Sequence, residues 1–427
     1  MSNKSDIPFR RLDYVKITLL GFALTGLWQS LHTIILPMRL LDFIPEAQKN
    51  TYLGLLTLSG LLLAMVVQPI AGSISDRSGF RWGQRRPYIL IGSILALLLI
   101  PSIGLAGSYA AIFIVYCLLQ VATNIAQGPY QAFIPELVPA GKRGRASGVK
   151  GLLEITGGVA LIYLSSVYMD HYFAGEGSYF LWLILGLLAL VLLLAMVATI
   201  LIVREPPVNT GRHRTPVLDT VYQTFIKGLW TNHNFIWFLV SRLLIFMAFT
   251  TVQQFALYYL KDVIGVANPA EATARFSLVA VAGMLLVVWP AGYLSDRIGR
   301  KLLTAASGLL GALGIAIIAL SQDYGTILWA AGIIGVSMGI FNSTNWALAT
   351  DFTPRTEEAR YLGVANMATA GGAALARLIG PLIDFGNQQS PGLGYKIMLL
   401  VCLVYFVAGS VLVLKIRQGL NRTTVRP

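Results

Sequence analysis

The stretch SDRSGFRWGQRRPYI at residues 75–89 sets four arginines and one aspartate between two long apolar runs. It returns, shortened, as SDRIGRK at 295–301. Outward from the first copy the chain is almost free of charge: 52–74, 89–103 and 179–203 hold no Asp, Glu, Lys, Arg or His. Hydrophobic residues make up 56% of the 427 and charged residues 12%, with a mean hydropathy of +0.69. Such a surface is incompatible with water, and the runs approach the roughly 20 apolar residues needed to cross a bilayer. The sequence therefore describes an all-α, multi-pass membrane protein lodged in the cell membrane.

Apolar runs between charged or turn-rich breaks give twelve transmembrane helices, at about 13–40, 51–75, 88–106, 109–134, 146–169, 178–203, 233–262, 273–294, 302–321, 325–350, 359–384 and 395–416. The first run has no small-residue cleavage pattern and is expected to stay as a helix. With Met1 in the cytosol, one set of loops collects Arg77, Arg81, Arg85, Arg86, Lys142, Arg143 and Arg145 and their later counterparts, while the opposite set holds only Arg39, Lys49, Lys261, Arg275 and Lys396. This asymmetry places both termini in the cytosol. The net charge of +13 thus follows topology, and no nucleic-acid partner is implied. Cys117 and Cys402 sit inside apolar runs, so neither a disulfide framework nor a metal site is expected.

The two halves are copies. Gly72, Asp76 and Asp42 match Gly292, Asp296 and Asp262 at an offset of 220 (292 − 72), and after the charged hinge Arg85, Pro139, Arg145 and Gly148 match Arg300, Pro354, Arg360 and Gly363 at 215 (300 − 85). The difference is the insert FRWGQ. A parallel repeat of this kind implies two six-helix bundles related by an axis along the membrane normal. The expected organisation is an N-terminal bundle at 1–203, a cytosolic linker at 204–232 with an amphipathic helix on the membrane face, and a C-terminal bundle at 233–427.

GSISDR (72–77) and GYLSDRIGRK (292–301) resemble the loop signature between helices 2 and 3 of the major facilitator superfamily. PELVPAGKRGRASG (135–148) is similar to the helix 4 to 5 turn of that superfamily's sugar porters, with TDFTPRTEEARYLG (350–363) as its counterpart. The extension FRWGQRRPY (80–88) resembles that of the glycoside, pentoside and hexuronide cation symporters and the related sucrose/proton symporters. The resemblance implies the major facilitator fold and a sugar-like substrate. The cores of spans 2 and 4 lack the carboxylates that melibiose-type members use for sodium.

Candidate residues fall into three groups. In the hinges, Gly72, Asp76, Arg77, Arg85, Arg86, Glu136 and Arg145, with Gly292, Asp296, Arg297, Asp351 and Arg360, are expected to act in gating. There Gly72 would permit close helix approach, and the arginines would pair with carboxylates or lipid phosphates. For solute binding, Gln120, Asn124, Gln127 and Gln131 share one face of span 4. Trp28, Gln29 and His32 lie within one turn of span 1, Asn342, Asn345 and Trp346 within one turn of span 10, and Gln253 and Gln254 sit on span 7. Amides match sugar hydroxyls and flat aromatics stack on rings, although bridging between helices explains the same residues. For proton coupling, Glu154 with Lys150 four residues before it and Arg377 are the intramembrane charges, and Arg242 is expected to snorkel to the cytosolic edge.

No nucleotide loop, nucleophile elbow or zinc motif is present, which excludes the common enzyme classes and any cofactor they would need. The expected function is proton-coupled symport of a small polar organic solute, a sugar or glycoside, by alternating access, with the protein acting as a monomer in the lipid bilayer. A uniporter, a proton-driven exporter and a transporter-like sensor remain as alternatives.

Overall fold

The computed structural model describes residues 11–80, 82–205, 233–351 and 358–416. Among these, twelve helices are long and apolar enough to cross a membrane: α1 Arg11–Leu40, α2 Glu46–Asp76, α3 Arg86–Leu105, α4 Tyr109–Leu137, α5 Arg143–Phe173, α6 Tyr179–Ile202, α7 His233–Ile264, α8 Pro269–Ile298, α9 Arg300–Leu320, α10 Tyr324–Thr350, α11 Tyr361–Gln389 and α12 Leu393–Lys415. Each expected span corresponds to one of them. The largest differences, five residues, lie at the start of α2 and the end of α11, where the helices continue into polar sequence. The reason is tertiary: Asp384 of α11 accepts hydrogen bonds from the first-turn amides of α2, at Asn50 (3.3 Å) and Thr51 (2.7 Å), so a polar helix end is stabilised without hydrophobicity. The linker expected to carry an amphipathic helix lies outside the described residues, apart from 204 and 205.

The chain divides into two compact units. Unit 1 is Met1–Arg214, Gln254–Leu278 and Arg377–Gly392, and unit 2 is Thr215–Gln253, Val279–Ala376 and Leu393–Pro427. Unit 1 therefore holds α1–α6 with the C-terminal ends of α7 and α11 and the N-terminal end of α8.

Within unit 1, α1 packs on α5, α2 and α3 on α4, and α3 on α6. The α1–α5 contact is backbone-close: a Cβ on Gly157 would stand 2.3 Å from the carbonyl oxygen of Phe22, so only glycine fits. At these helix ends the same unit is tied by polar contacts. Lys49, 3% exposed, meets Asp262 at 2.8 Å, Lys261 meets Glu46 at 2.6 Å, and Tyr258 donates to the Pro37 carbonyl at 2.7 Å. Asp170 at the end of α5 accepts from the amides of Ala270 (3.0 Å) and Glu271 (2.7 Å) at the start of α8. Asn50 and Thr51 map onto Ala270 and Glu271 at the repeat offset of 220 (270 − 50), so the two caps serve repeat-related amides, although their carboxylates stand 214 residues apart (384 − 170), one short of the offset of 215.

Unit 2 has its own core. Phe235 and Phe238 of α7 pack with Ala305, Leu348, Ala349, Tyr361, Ala365 and Val413, all buried. Within it α9 packs on α10 and α12.

Candidate functional site

The polar residues of α1 and α4 meet in unit 1. Pro37 has no amide to donate, and the turn before it, Leu31–Ile35, widens so that the Leu36 amide reaches the Leu31 carbonyl. His32 stands in that widened turn. Its Nε2 is 2.9 Å from the Tyr116 hydroxyl, to which Gln120 Nε2 donates at 3.0 Å, while Asn124 Nδ2 donates to Gln120 Oε1 at 3.2 Å. The Tyr116 hydroxyl carries one hydrogen and two lone pairs, so it joins Gln120 to His32 whichever ring tautomer is present. Trp28 closes the group, its ring centroid 5.1 Å from His32 and edge-on to Tyr116 at 5.8 Å. Arg377 bears electrostatically on both His32 and Tyr116.

Sequence reasoning missed Tyr116. Its signal was present: it lies four residues before Gln120, in register with the amides and in an otherwise apolar stretch. The amide ladder itself divides. Gln120 and Asn124 are buried and bonded to each other, Gln127 is half-buried one turn on, and Gln131 is exposed at the helix end. Gln29 is half-buried beside Gly158, with its Cγ 3.5 Å from where a Cβ there would stand. Gln254 is buried with no acceptor for Nε2 among the described residues, whereas Gln253 belongs to unit 2 and is half-buried.

In unit 2, Asn345 and Trp346 come together around a residue that was given another role. Arg242 was expected to snorkel, but it is 2% exposed and its donors turn inward. Nε donates to Thr369 Oγ1 at 2.8 Å, Nη1 donates to Asn345 Oδ1, and the guanidinium lies 4.6 Å from the Trp346 ring centroid. These partners hold it where the hydrocarbon would otherwise be its neighbour. Asn342, one turn from Trp346, is half-buried with its amide 4.0 Å from the Met284 sulfur.

Lys150 and Glu154 form an intrahelical pair on α5, Nζ to Oε1 3.7 Å, each side chain about a quarter exposed. The Lys150 ammonium also lies 5.3 Å from the Tyr130 ring centroid, and the Glu154 carboxyl packs against Gly21 of α1. Arg377 groups with the α1–α4 cluster, and Lys150 is the basic residue beside Glu154.

At the start of α3, Arg85 is buried and gathers the hinge. It pairs with Asp76, binds Glu136 through two nitrogens (2.5 and 3.1 Å) and donates to Ser75. Burial alone would lower its pKa; the hydrogen bonds and charges of Glu136 and Asp76 outweigh that and hold it above the ordinary arginine value. Gly72 faces open space on its Cβ side, and the close approach comes from Gly128 of α4, whose Cβ would stand 2.5 Å from the Gln68 carbonyl oxygen. Gly292 abuts Ser343.

The insert builds a nest. Gly83 has φ +134°, and beyond it the amides of Gln84, Arg85 and Arg86 all donate to the carboxylate of Glu205, at 2.6 to 2.9 Å. Arg86 donates further to the carbonyls of Trp82 (3.0 Å) and Ile200. In the second copy Gly299, φ +107°, leads directly into α9, and Arg300 donates to the Ala347 carbonyl (2.8 Å) and meets Asp296 at 3.3 Å. Arg77, Arg145 and Arg297 are exposed, and Arg297 bonds Tyr293. The side chains of Asp351 and Arg360 lie outside the described set. No cluster of three or more metal-ligating residues occurs among the described residues.

The sequence profile of the Major Facilitator Superfamily matches residues 14–377. Among curated proteins, the chain is 33% identical over 131 residues to the minor myo-inositol transporter IolF of Bacillus subtilis (strain 168), covering 31% of this chain and 29% of the relative. It is 35% identical over 109 residues to the sucrose transport protein SUT1 of Oryza sativa subsp. japonica, covering 20% of each. These matches span less than a third of the relatives' own length. Among solved structures, that of a D-xylose-proton symporter aligns with a TM-score of 0.71 at 16% identity, over 96% of this chain and 98% of the other. At that identity the likeness establishes the fold.

Proposed function

The chain belongs to the Major Facilitator Superfamily, and on that premise we propose that it is a secondary active transporter of a small polar organic solute, a sugar or glycoside, working by proton-coupled symport with alternating access. The observation that carries this reading is the group Trp28, His32, Tyr116, Gln120 and Asn124: one aromatic plate beside a connected row of donors and acceptors inside an apolar bundle. Hydroxyls of a polyol can exchange into such a row bond for bond, while the ring face of Trp28 takes the apolar face of a sugar. The names of the inositol, sucrose and xylose transport proteins support the same substrate class.

Coupling is assigned to Glu154. It sits in the membrane-spanning part of α5, and its basic neighbour Lys150 is on the same helix. A carboxyl so placed can gain or lose a proton as water reaches it from one face or the other. The repeat supports two bundles at 1–203 and 233–427, and the loop arginines support termini in the cytosol.

Reconstituted protein tests the reading. Adding inositol, sucrose or xylose to proteoliposomes should alkalinise the medium as solute enters, and counterflow should be seen with the same solute. Counterflow without a pH change would make the protein a uniporter; binding without counterflow would make it a sensor. Glu154→Gln should abolish gradient-driven accumulation and spare counterflow.

A further inference from the structure

We infer that Arg242 and Asn345 form an anion subsite in unit 2 that takes a carboxylate group of the transported solute. A guanidinium removed from water keeps its charge, and its burial is balanced only by an anion or an equivalent set of acceptors. Three other buried bases meet carboxylates: Arg39 pairs with Asp42, Lys49 with Asp262, and Arg85 with Asp76 and Glu136. Arg242 does not. Among the described residues its partners are a threonine hydroxyl, an amide oxygen and the rings of Trp346 and Phe246, every one neutral.

Asn345 supplies the second, independent observation. A guanidinium only donates, so the amide is held with Oδ1 toward Arg242 and Nδ2 turned away. Asn345 is 0% exposed, and that Nδ2 has no acceptor among the described residues. Nη2 of Arg242 likewise has no acceptor among the described residues, since the two bonds it makes come from Nε and Nη1. The site therefore holds unsatisfied donors, one of them charged, against the flat wall of Trp346, which is 36% exposed. A hydroxyl would satisfy the geometry but leave the charge uncompensated; a carboxylate satisfies both. The position favours a solute over a lipid headgroup, because Arg242 lies nine residues (242 − 233), about 13 Å, along α7 from its first residue.

This inference rests on the chain being a carrier of a small polar solute, and the experiment separates the two. Purified full-length protein in phosphatidylcholine nanodiscs is titrated with matched pairs, glucose against glucuronate and galactose against galacturonate, with lactate as the minimal carboxylate, and the melting temperature is followed. At least one carboxylate should raise it more than its neutral partner does. Arg242→Gln should weaken that response at least tenfold. Asn345→Asp, nearly isosteric, supplies the missing carboxylate from within and should eliminate the response in a folded protein even where Arg242→Gln fails to fold.

No carboxylate response in the wild type, or one that survives Asn345→Asp, overturns the subsite. A response only to bilayers containing phosphatidylglycerol makes it a lipid site and overturns it too. Failure of the carrier reading would show separately, as binding with no counterflow of any of these solutes.

Discussion

At the scale of single residues, the Tyr116 hydroxyl is the join on which the unit 1 cluster depends, since it accepts from Gln120 and is hydrogen-bonded to His32. Tyr116→Phe keeps the ring and removes both bonds, leaving two polar groups in an apolar setting. The expected cost is about 1–3 kcal/mol of stability, read by chemical unfolding in detergent, with solute binding weakened about tenfold. Asp323, in the turn before α10, is a simpler case. Its carboxylate accepts from the amide (2.8 Å) and hydroxyl (3.1 Å) of Thr326, which holds its pKa below the usual aspartate range. A group depressed on folding stabilises fully above its unfolded pKa, about 4, and loses that contribution as pH falls through the lower folded value. Asp323→Asn should therefore lower the melting temperature at pH 7 and lower it by less as the pH falls below the usual aspartate range. Equal losses at pH 7 and below that range would show that charge is not what Asp323 contributes.

At the scale of elements, the insert explains why the hinge is written at two lengths. Five extra residues bring three consecutive amides at the head of α3 onto Glu205, just past the end of α6, whereas α9 begins directly after Gly299. The first hinge thus fixes the exit of the N-terminal repeat as well as turning the chain. Gly83 is the sensitive point, because its φ of +134° disfavours any side chain and a Cβ would stand 2.8 Å from the Glu205 carboxyl carbon. Gly83→Ala should cost on the order of 1–3 kcal/mol, measured as a fall in unfolding midpoint. Glu205→Ala should lose a similar cap, and the double variant should cost little more than the worse single one if both act through the same contact.

At the scale of the whole molecule, the caps from Asp170 and Asp384 on repeat-related amides tie the ends of α8 and α11 to the rest of unit 1. Each carboxylate accepts two backbone amides that hydrocarbon or a departing helix would leave bare. Opening at these ends must break both. Asparagine can accept only one of the two amides, so Asp170→Asn and Asp384→Asn should each favour opening several-fold and the double variant more. The rate of alkylation of Leu53→Cys, in a background of Cys117→Ser and Cys402→Ser, reports it, because Leu53 is 0% exposed on α2. An unchanged rate in the double variant would mean that the lysine pairs, Lys49 with Asp262 and Lys261 with Glu46, hold these ends by themselves.

What the sequence by itself determined follows from quantities that add along the chain. Apolar length set the twelve spans, loop charge set an expected orientation, and the offsets of 220 and 215 exposed the repeat and located the insert at FRWGQ. Which polar residues meet was decided only in three dimensions. Asn345 and Trp346 lie about a hundred residues from Arg242, and the helix that carries them turns a supposed snorkelling arginine into a buried cation. His32 and Tyr116 are eighty-four residues apart. Glu205 finds the amides of Gln84 to Arg86, and Asp384 those of Asn50 and Thr51. In each case a donor left bare by the local helix or turn is answered by a group distant in the chain, and periodicity within one helix carries no record of what stands opposite.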